Sequence, residues 1–496
     1  MNTVAVRPQI DAVRQRAVVA ALAEFLPARA LLYEREDVQP YECDGLSAYR
    51  QLPMVVTLPE TEAEVQRILQ TCHALRVPVV ARGAGTGLSG GALPPGDGVL
   101  LSLARFMRIL DIDPAARTAR LQPGVRNLAI SEAVAQFGLY YAPDPSSQIA
   151  CSIGGNVAEN SGGMHCLKYG LTVHNIMKVR AWTIEGELLE IGCDGLDSAG
   201  YDLLALITGS EGLLAVITEV TVKLLPKPER AQCILAAFDD VGKAGQAVAN
   251  IIAAGIIPAG LEMMDKITTG AVEPFVNAGY PLDAAAILLC ESDGNDAEVA
   301  EEIERMKAVM HASGATEVRV STSEAERYRF WAGRKAAFPA AGRVSPDYYC
   351  MDGTIPKKAL PRVLNAITEL SAKYGLRCMN VFHAGDGNLH PLILYDANQP
   401  GELDRTEQFG AEILKLSIEV GGTITGEHGV GVEKIDAMCD QFKPLELTMF
   451  HGVKACFDEH ALLNPGKAVP TLHRCAEFGR MHVHGGKEKF PELPRF

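Results

Sequence analysis

The run Pro78-Val-Val-Ala-Arg-Gly-Ala-Gly-Thr-Gly-Leu-Ser-Gly-Gly91 excludes a common nucleotide-binding fold while keeping its chemistry. An apolar strand leads into a glycine loop, and Gly85-x-Gly87-x-x-Gly90 satisfies the dinucleotide fingerprint letter for letter. That fingerprint works only where the loop opens a helix whose N-terminus faces a pyrophosphate. Here the chain continues Ala92-Leu-Pro-Pro-Gly-Asp-Gly98, which cannot be a helix. The glycines can still cradle a diphosphate through successive backbone N–H groups, as a nest. The expectation is an FAD-type or other nucleotide ligand without a Rossmann unit.

Two later segments share this character. Cys151-Ser-Ile-Gly-Gly-Asn-Val-Ala-Glu-Asn-Ser-Gly-Gly163 combines four glycines with small polar residues, which suits a backbone approaching a large flat ligand. Gly209-Ser-Glu-Gly212 forms a turn before the apolar stretch Leu213 to Val222. Each alone reads as a structural turn. Three in one region, with Pro143-Asp-Pro145 between the first two, call for a large cofactor.

From Pro53 to Leu225 short β-rich runs alternate with glycine turns. Val77 to Val80, Val99 to Leu103 and Thr118 to Leu121 read as strands, and a helix started by Thr61 covers about 61–75. From about Glu229 strands at Ile234 to Phe238, Leu261 to Met264 and Ala286 to Cys290 alternate with helices over 241–254 and 296–312, an α+β texture. Pro226 and Pro228 punctuate the change. Helices over 404–420 and 444–460 close the chain. Near the start, Val13, Ala17, Val18, Ala21, Leu22 and Phe25 form a helical stripe, and Glu24 breaks what would otherwise resemble a signal peptide.

At 496 residues two or three domains are expected. Lys and Arg number 46 against 61 Asp and Glu, a net charge of -15, which argues against a nucleic-acid or anionic-lipid surface. No apolar run approaches the roughly 18 to 20 residues that span a bilayer. The 12 cysteines form no C-x-x-C pair and no iron–sulfur spacing, so they read as reduced thiols of a cytosolic protein.

His383-Ala-Gly-Asp-Gly-Asn-Leu-His390 lies between the apolar runs Met379 to Phe382 and Pro391 to Leu394. Its Asp386-Gly387 centre predicts a two-residue turn, pairing residue 385 with 388, 384 with 389 and 383 with 390. The two histidines would then stand opposite each other with Cβ atoms roughly 4.5 to 5.5 Å apart. Glu427, in Thr425-Gly-Glu-His-Gly429, could add a third and harder ligand for a metal with open positions. On the hairpin alone, a cross-strand histidine contact is the commoner arrangement.

The loop Arg82 to Gly91, the Ser-Ile-Gly-Gly-Asn core, Gly-Ser-Glu-Gly, the histidine pair, Gly-Glu-His-Gly and Asn464-Pro-Gly-Lys467 occur in this order in FAD-linked oxidases of the vanillyl-alcohol oxidase type. From about residue 40 to the C-terminus the chain resembles that family, in the group of bacterial glycolate oxidase FAD subunits and D-lactate and D-2-hydroxyglutarate dehydrogenases. The resemblance implies an α+β fold: a two-subdomain FAD-binding domain over 51–228, an antiparallel-sheet α+β substrate (cap) domain over 229–403, an N-terminal helical segment over 1–50 and a C-terminal helical segment over 404–496. It implies that Arg82, Gly83, Ala84, Gly85, Thr86, Gly87, Leu88, Gly90 and Gly91 wrap the FAD pyrophosphate. Pro143, Asp144, Ser152, Gly154, Gly155, Asn160, Gly163, Glu211, Gly212 and Ile217 would line the rest of the cofactor, with Asn464 approaching from the C-terminal part. Relatives that attach flavin covalently carry a histidine in the first loop; this chain has Arg82-Gly-Ala-Gly-Thr86, so the FAD is expected to be non-covalent.

The same resemblance makes His383, His390 and Glu427 ligands of a divalent metal, zinc foremost, His428 the base and Arg334 the grip on a substrate carboxylate. A neutral imidazole suits removal of a hydroxyl proton, and a guanidinium suits a carboxylate. The expected reaction is oxidation of a short D-2-hydroxy acid, glycolate or D-lactate. Leu392 and Cys350 stand where D-2-hydroxyglutarate enzymes carry polar residues, which disfavours a dicarboxylate. That dehydrogenase, a redox-neutral FAD enzyme and a scaffold FAD protein are the alternatives. Partners implied are a second FAD-fold subunit and an iron–sulfur subunit, with a cytoplasmic chain reaching the inner membrane only through them. The tail residues His473, Cys475, His482 and His484 read as a solvated segment.

Overall fold

The computed structural model describes residues 10–195 and 199–470; the four tail residues just named lie outside them. The expected mixed α+β architecture is met. A four-stranded sheet runs in the order Leu31–Leu32, Val55–Thr57, Val99–Ser102, Val79–Arg82, its last three strands parallel. Their apolar residues are buried on both faces, as parallel strands require. The helix Glu62–Ala74 links two of them, with Thr61 and Glu64 closing a capping box at its start. Beyond Arg82 the loop remains irregular as far as the strand Val99–Ser102, in keeping with the exclusion of a Rossmann turn.

A five-stranded antiparallel sheet follows, in the order Ile109–Asp113, Thr118–Leu121, Val216–Lys223, Ile176–Trp182, Leu188–Gly192. The glycine-rich segment after Cys151, read from sequence as close-approach backbone, forms the short helix Ile153–Glu159. Its Gly154 packs so tightly that a Cβ there would lie 2.5 Å from Pro123.

A seven-stranded sheet, antiparallel throughout, runs in the order Glu317–Val320, Arg230–Phe238, Ala286–Gly294, Gly260–Asp265, Cys378–Phe382, Pro391–Tyr395, Asp347–Cys350. One face carries the helices Val241–Ala253, Asp296–Ala312 and Leu360–Tyr374 over a large apolar core. The other packs on Glu324–Lys335 and Ala337–Val344. The chain then returns to the first sheet: Leu462 and Asn464 hydrogen-bond Val79, and Leu463 forms a parallel bridge with it.

The N-terminal helix Ala12–Ala23 forms, but its apolar stripe is narrower than the sequence suggests. Val18 and Leu22 are buried, whereas Val13 stands 69% exposed. Among the described residues no helix is long and apolar enough to cross a membrane.

Candidate active site

The hairpin that carries the two histidines is wider than its Asp-Gly centre predicts. Strand register pairs Cys378 with Ile393, Met379 with Leu392 and Asn380 with Pro391, and the bridge beyond pairs His383 with Asn388. The loop therefore holds four residues, 384–387, and His383 faces residue 388 instead of 390. The N–H of Gly387 closes the loop onto the carbonyl of His383, and its own carbonyl accepts from Ile355. A tertiary partner thus takes the place of the tight turn. The register moves by two, so the histidines stay on one face as diagonal neighbours, with ring centres 5.0 Å apart.

Glu427 completes the cluster. His383 Nε2 lies 3.1 Å from Glu427 Oε1 and His390 Nε2 lies 3.3 Å from the same oxygen, all three residues being buried. His383 Nδ1 meets Glu262 Oε1 at 2.8 Å, so a buried carboxylate orients the ring that presents Nε2 to Glu427. Both ring nitrogens of His390 are buried without a hydrogen-bond partner. Three donors within 4.8 Å of one another, one of them backed by a carboxylate, fit a divalent cation. A second trio, Asp352, His390 and His428, meets the same distance, but Asp352 Oδ2 is already occupied by Thr425 Oγ1, the N–H groups of Gly426 and His428, and Lys434 Nζ.

Burial would raise the Glu427 carboxyl, but the hydrogen bond from His383 and the surrounding rings hold it down to about 2. Burial drives His428 down to about 4; the Asp352 and Glu427 charges oppose this and the His390 and Lys434 charges reinforce it. His428 is therefore neutral near pH 7, stacked on His390 at 4.8 Å. Its N–H is held by Asp352, its carbonyl accepts from Ser89 Oγ, and its Nδ1 has no partner.

Glu427, His428 and His390 line a cavity of about 470 Å³ whose opposite wall is the glycine cradle. Of the residues expected to hold a cofactor, Arg82 to Leu88, Gly91, Ser152, Gly154, Gly155, Glu211, Gly212 and Ile217 line it. Gly83 has no room for a side chain, since a Cβ would lie 2.2 Å from Ser152 Oγ, and Gly85 takes φ +71°. Arg82 Nε and Ser152 Oγ are buried at this wall without partners. A side-chain-poor cradle with unpartnered donors fits the phosphates and ring system of FAD.

Six expected residues stand behind the wall instead. Pro143 accepts from Asn127, Asp144 is bound by His165, and Gly163 lies against Asp144. Asn160 accepts from the Val173 N–H, and Gly90 packs on Val432. Asn464 donates to the carbonyls of Gly91 and Glu211, tying two lips of the cradle together.

Arg334 does not lie on a solvated face. It is wholly buried, its Nε donating to Glu262 at 2.6 Å, its Nη2 3.4 Å from His383 Nδ1 and its Nη1 unpartnered. The next residue, Lys335, lines the cavity with Phe338, Pro339 and Tyr348. Leu392 and Cys350 are paired across the sheet within the core on which Phe338 and Tyr348 pack, so they act behind the cavity wall. Sequence reasoning overlooked Glu262, a charge inside an apolar strand, and Glu159, which lines the cavity from the helix that the glycines concealed.

Residues 53–192 match the family described as FAD binding domain, and residues 227–468 match FAD linked oxidases, C-terminal domain. The chain is 64% identical to the glycolate oxidase subunit GlcD of Escherichia coli over 489 residues, 99% of this chain and 97% of that protein. It is 31% identical to a D-lactate dehydrogenase of Anaerostipes hadrus, covering 92% of this chain and 98% of that one. Among solved structures, p-cresol methylhydroxylase with substrate bound superposes with a TM-score of 0.79 at 16% identity, over 94% of this chain and 98% of that one, which speaks for the fold.

Proposed function

The chain belongs to the FAD-linked oxidases, in the group that contains the glycolate oxidase subunit GlcD, and from that premise we propose that it oxidises a short D-2-hydroxy acid, glycolate or D-lactate, to the 2-oxo acid. The reading is carried by one arrangement: a neutral, half-buried histidine beside three converging metal donors, facing a glycine cradle across a single cavity. FAD would be held non-covalently by the cradle and would supply the hydride acceptor. A divalent ion, zinc in this reading, would be held by His383, His390 and Glu427 and would supply a Lewis acid.

The protein's own groups do the rest. His428 takes the hydroxyl proton, its unpartnered Nδ1 being free to receive it. Asp352 fixes that ring through the backbone and stabilises its charged form. Arg334, whose Nη2 lies beside His383 and whose Nη1 is unpartnered, supplies positive charge for the substrate carboxylate. Lys335 stands among Phe338, Pro339 and Tyr348 in the cavity lining, so the preference for a monocarboxylate rests on Leu392 and Cys350 standing where D-2-hydroxyglutarate enzymes carry polar residues. Electrons then leave to a partner, in our reading a second FAD-fold subunit and an iron–sulfur subunit.

Anaerobic mixing with glycolate, D-lactate, L-lactate and D-2-hydroxyglutarate tests this. Glycolate or D-lactate should bleach the flavin, chelation should abolish bleaching, and a divalent ion should restore it. Bleaching that survives thorough metal removal would sink the metal role; none with any hydroxy acid would point to a redox-neutral or scaffold protein.

A further inference from the structure

Glu159 ends the helix Ile153–Glu159 and lines the cavity between the flavin cradle and the His428 segment. A Cβ on Gly91 would lie 3.0 Å from its Oε1, and one on Gly429 would lie 2.2 Å from its Oε2. It therefore touches both walls. Its Oε2 is buried and has no hydrogen-bond partner. Glu211 approaches the same two glycines, at 3.5 Å and 2.9 Å on the same measure. The two carboxyls differ in what holds them: Glu211 accepts from the N–H groups of Val430 and Gly431, each at 2.7 Å.

Two carboxylates this close cannot both be ionised in a buried site. Burial raises the Glu211 carboxyl as well, but two short backbone hydrogen bonds and the Lys434 and Lys467 charges oppose it, so of the two it is Glu159 that keeps the proton. Burial first, and then the Glu211 charge, push Glu159 well above the usual carboxylate range, while Lys434 opposes them. A protonated carboxyl is a donor, and a flavin ring system carries its acceptors, N1, O2, O4 and N5, on the pyrimidine and central rings.

We propose that Glu159, as a neutral acid partnered by ionised Glu211, donates a hydrogen bond to the pyrimidine side of the bound flavin and thereby stabilises its electron-rich reduced form. It is a tuning residue that touches cofactor, distinct from the metal donors and from His428. The inference rests on FAD occupying the cavity, and the flavin absorbance of the wild-type protein establishes that separately.

The test is the two-electron potential of bound FAD in wild type, Glu159→Gln and Glu159→Ala, each at full flavin occupancy. Glutamine keeps a donor and should stay near wild type; alanine should lose the preference for reduced flavin by about tenfold, a fall of roughly 30 mV. An infrared carboxylic-acid C=O band present in wild type and missing in Glu159→Gln should accompany this, and it can be read on the glutamine variant alone if alanine does not fold. A rise in potential in Glu159→Gln would mean that an anion had been removed and would overturn the proposal. So would an alanine variant indistinguishable from wild type, or the absence of the acid band.

Discussion

Asp352 shows how much of the site depends on one side chain that does no chemistry itself. Wholly buried, it gathers the backbone of Gly426, Glu427 and His428, the Thr425 hydroxyl and the Lys434 ammonium. Replacing it with Asn keeps its shape but leaves buried Lys434 only the more distant Glu433 carboxyl, 3.8 Å away, as a counter-charge and turns an amide N–H2 or a single acceptor toward several donors. Removing one partner of a buried pair costs about 3 to 5 kcal/mol, so Asp352→Asn should unfold that much earlier in urea. It should also weaken binding of the divalent ion by on the order of 10- to 100-fold, the usual cost of losing a supporting residue, read by titration of the apo protein. Unchanged metal affinity would count against its positioning role. His383, His390, Glu427 and His428 were legible because polar side chains among glycines interrupt apolar runs. Glu262 was not, because a lone acid in Leu261 to Met264 looks like any half-buried strand position until Arg334 and His383 are seen on either side of it.

At the scale of elements, the strands and helices read from periodicity and caps formed, while the helix Ile153–Glu159 and the hairpin register did not follow from the sequence. The local signal at Asp386-Gly387 favours a two-residue turn, but pairing with Thr354 and Ile355 from another segment wins. Gly387 takes φ +87°, and a Cβ there would lie 2.2 Å from the Ile355 carbonyl oxygen. Left-handed backbone alone costs a side chain about 1 to 2 kcal/mol, so Gly387→Ala should destabilise by at least that amount and loosen metal binding through the displaced histidines. A second junction joins the flavin-side segment to the cap sheet: His165 lies between Asp144 and Glu291, which also binds Arg327 and Trp331. Burial would lower the His165 pKa, but the Asp144 charge and hydrogen bond, with Glu291, raise it well above the ordinary imidazole value. A raised folded-state pKa stabilises fully below the unfolded value, near 6.5, and is lost as pH climbs through the folded one. The stability gap between wild type and His165→Gln should therefore be widest at about pH 6 and shrink with alkalinity in denaturation curves. A gap independent of pH would mean that the ring is not charged.

Across the whole molecule the cradle is assembled from segments that only the fold brings together: Arg82 to Gly91, Ser152 to Gly155, Glu211 to Ile217 and the returning Asn464. Sequence could identify the pieces from their glycines, yet it could not say which would face the ligand and which would brace those that do. Pro143, Asp144 and Asn464 carry the same polar and turn-forming signals as the lining residues. Asn464 makes the difference measurable. Its amide spans the carbonyls of Gly91 and Glu211 from behind, so it sets the distance between two cradle lips without itself lining the cavity. Asn464→Ala should then weaken FAD binding by on the order of tenfold, about 1.4 kcal/mol, with no loss of any group that faces the cavity. Since a ligand stabilises what it binds, FAD at a hundredfold excess over its Kd should add about 2.7 kcal/mol to the wild-type protein. Hydrogen exchange should show where: slowing on FAD addition in all four segments together for wild type, and weaker slowing at Gly91 and Gly212 for the variant. If protection in the variant matches wild type throughout, the C-terminal return does not brace the cradle.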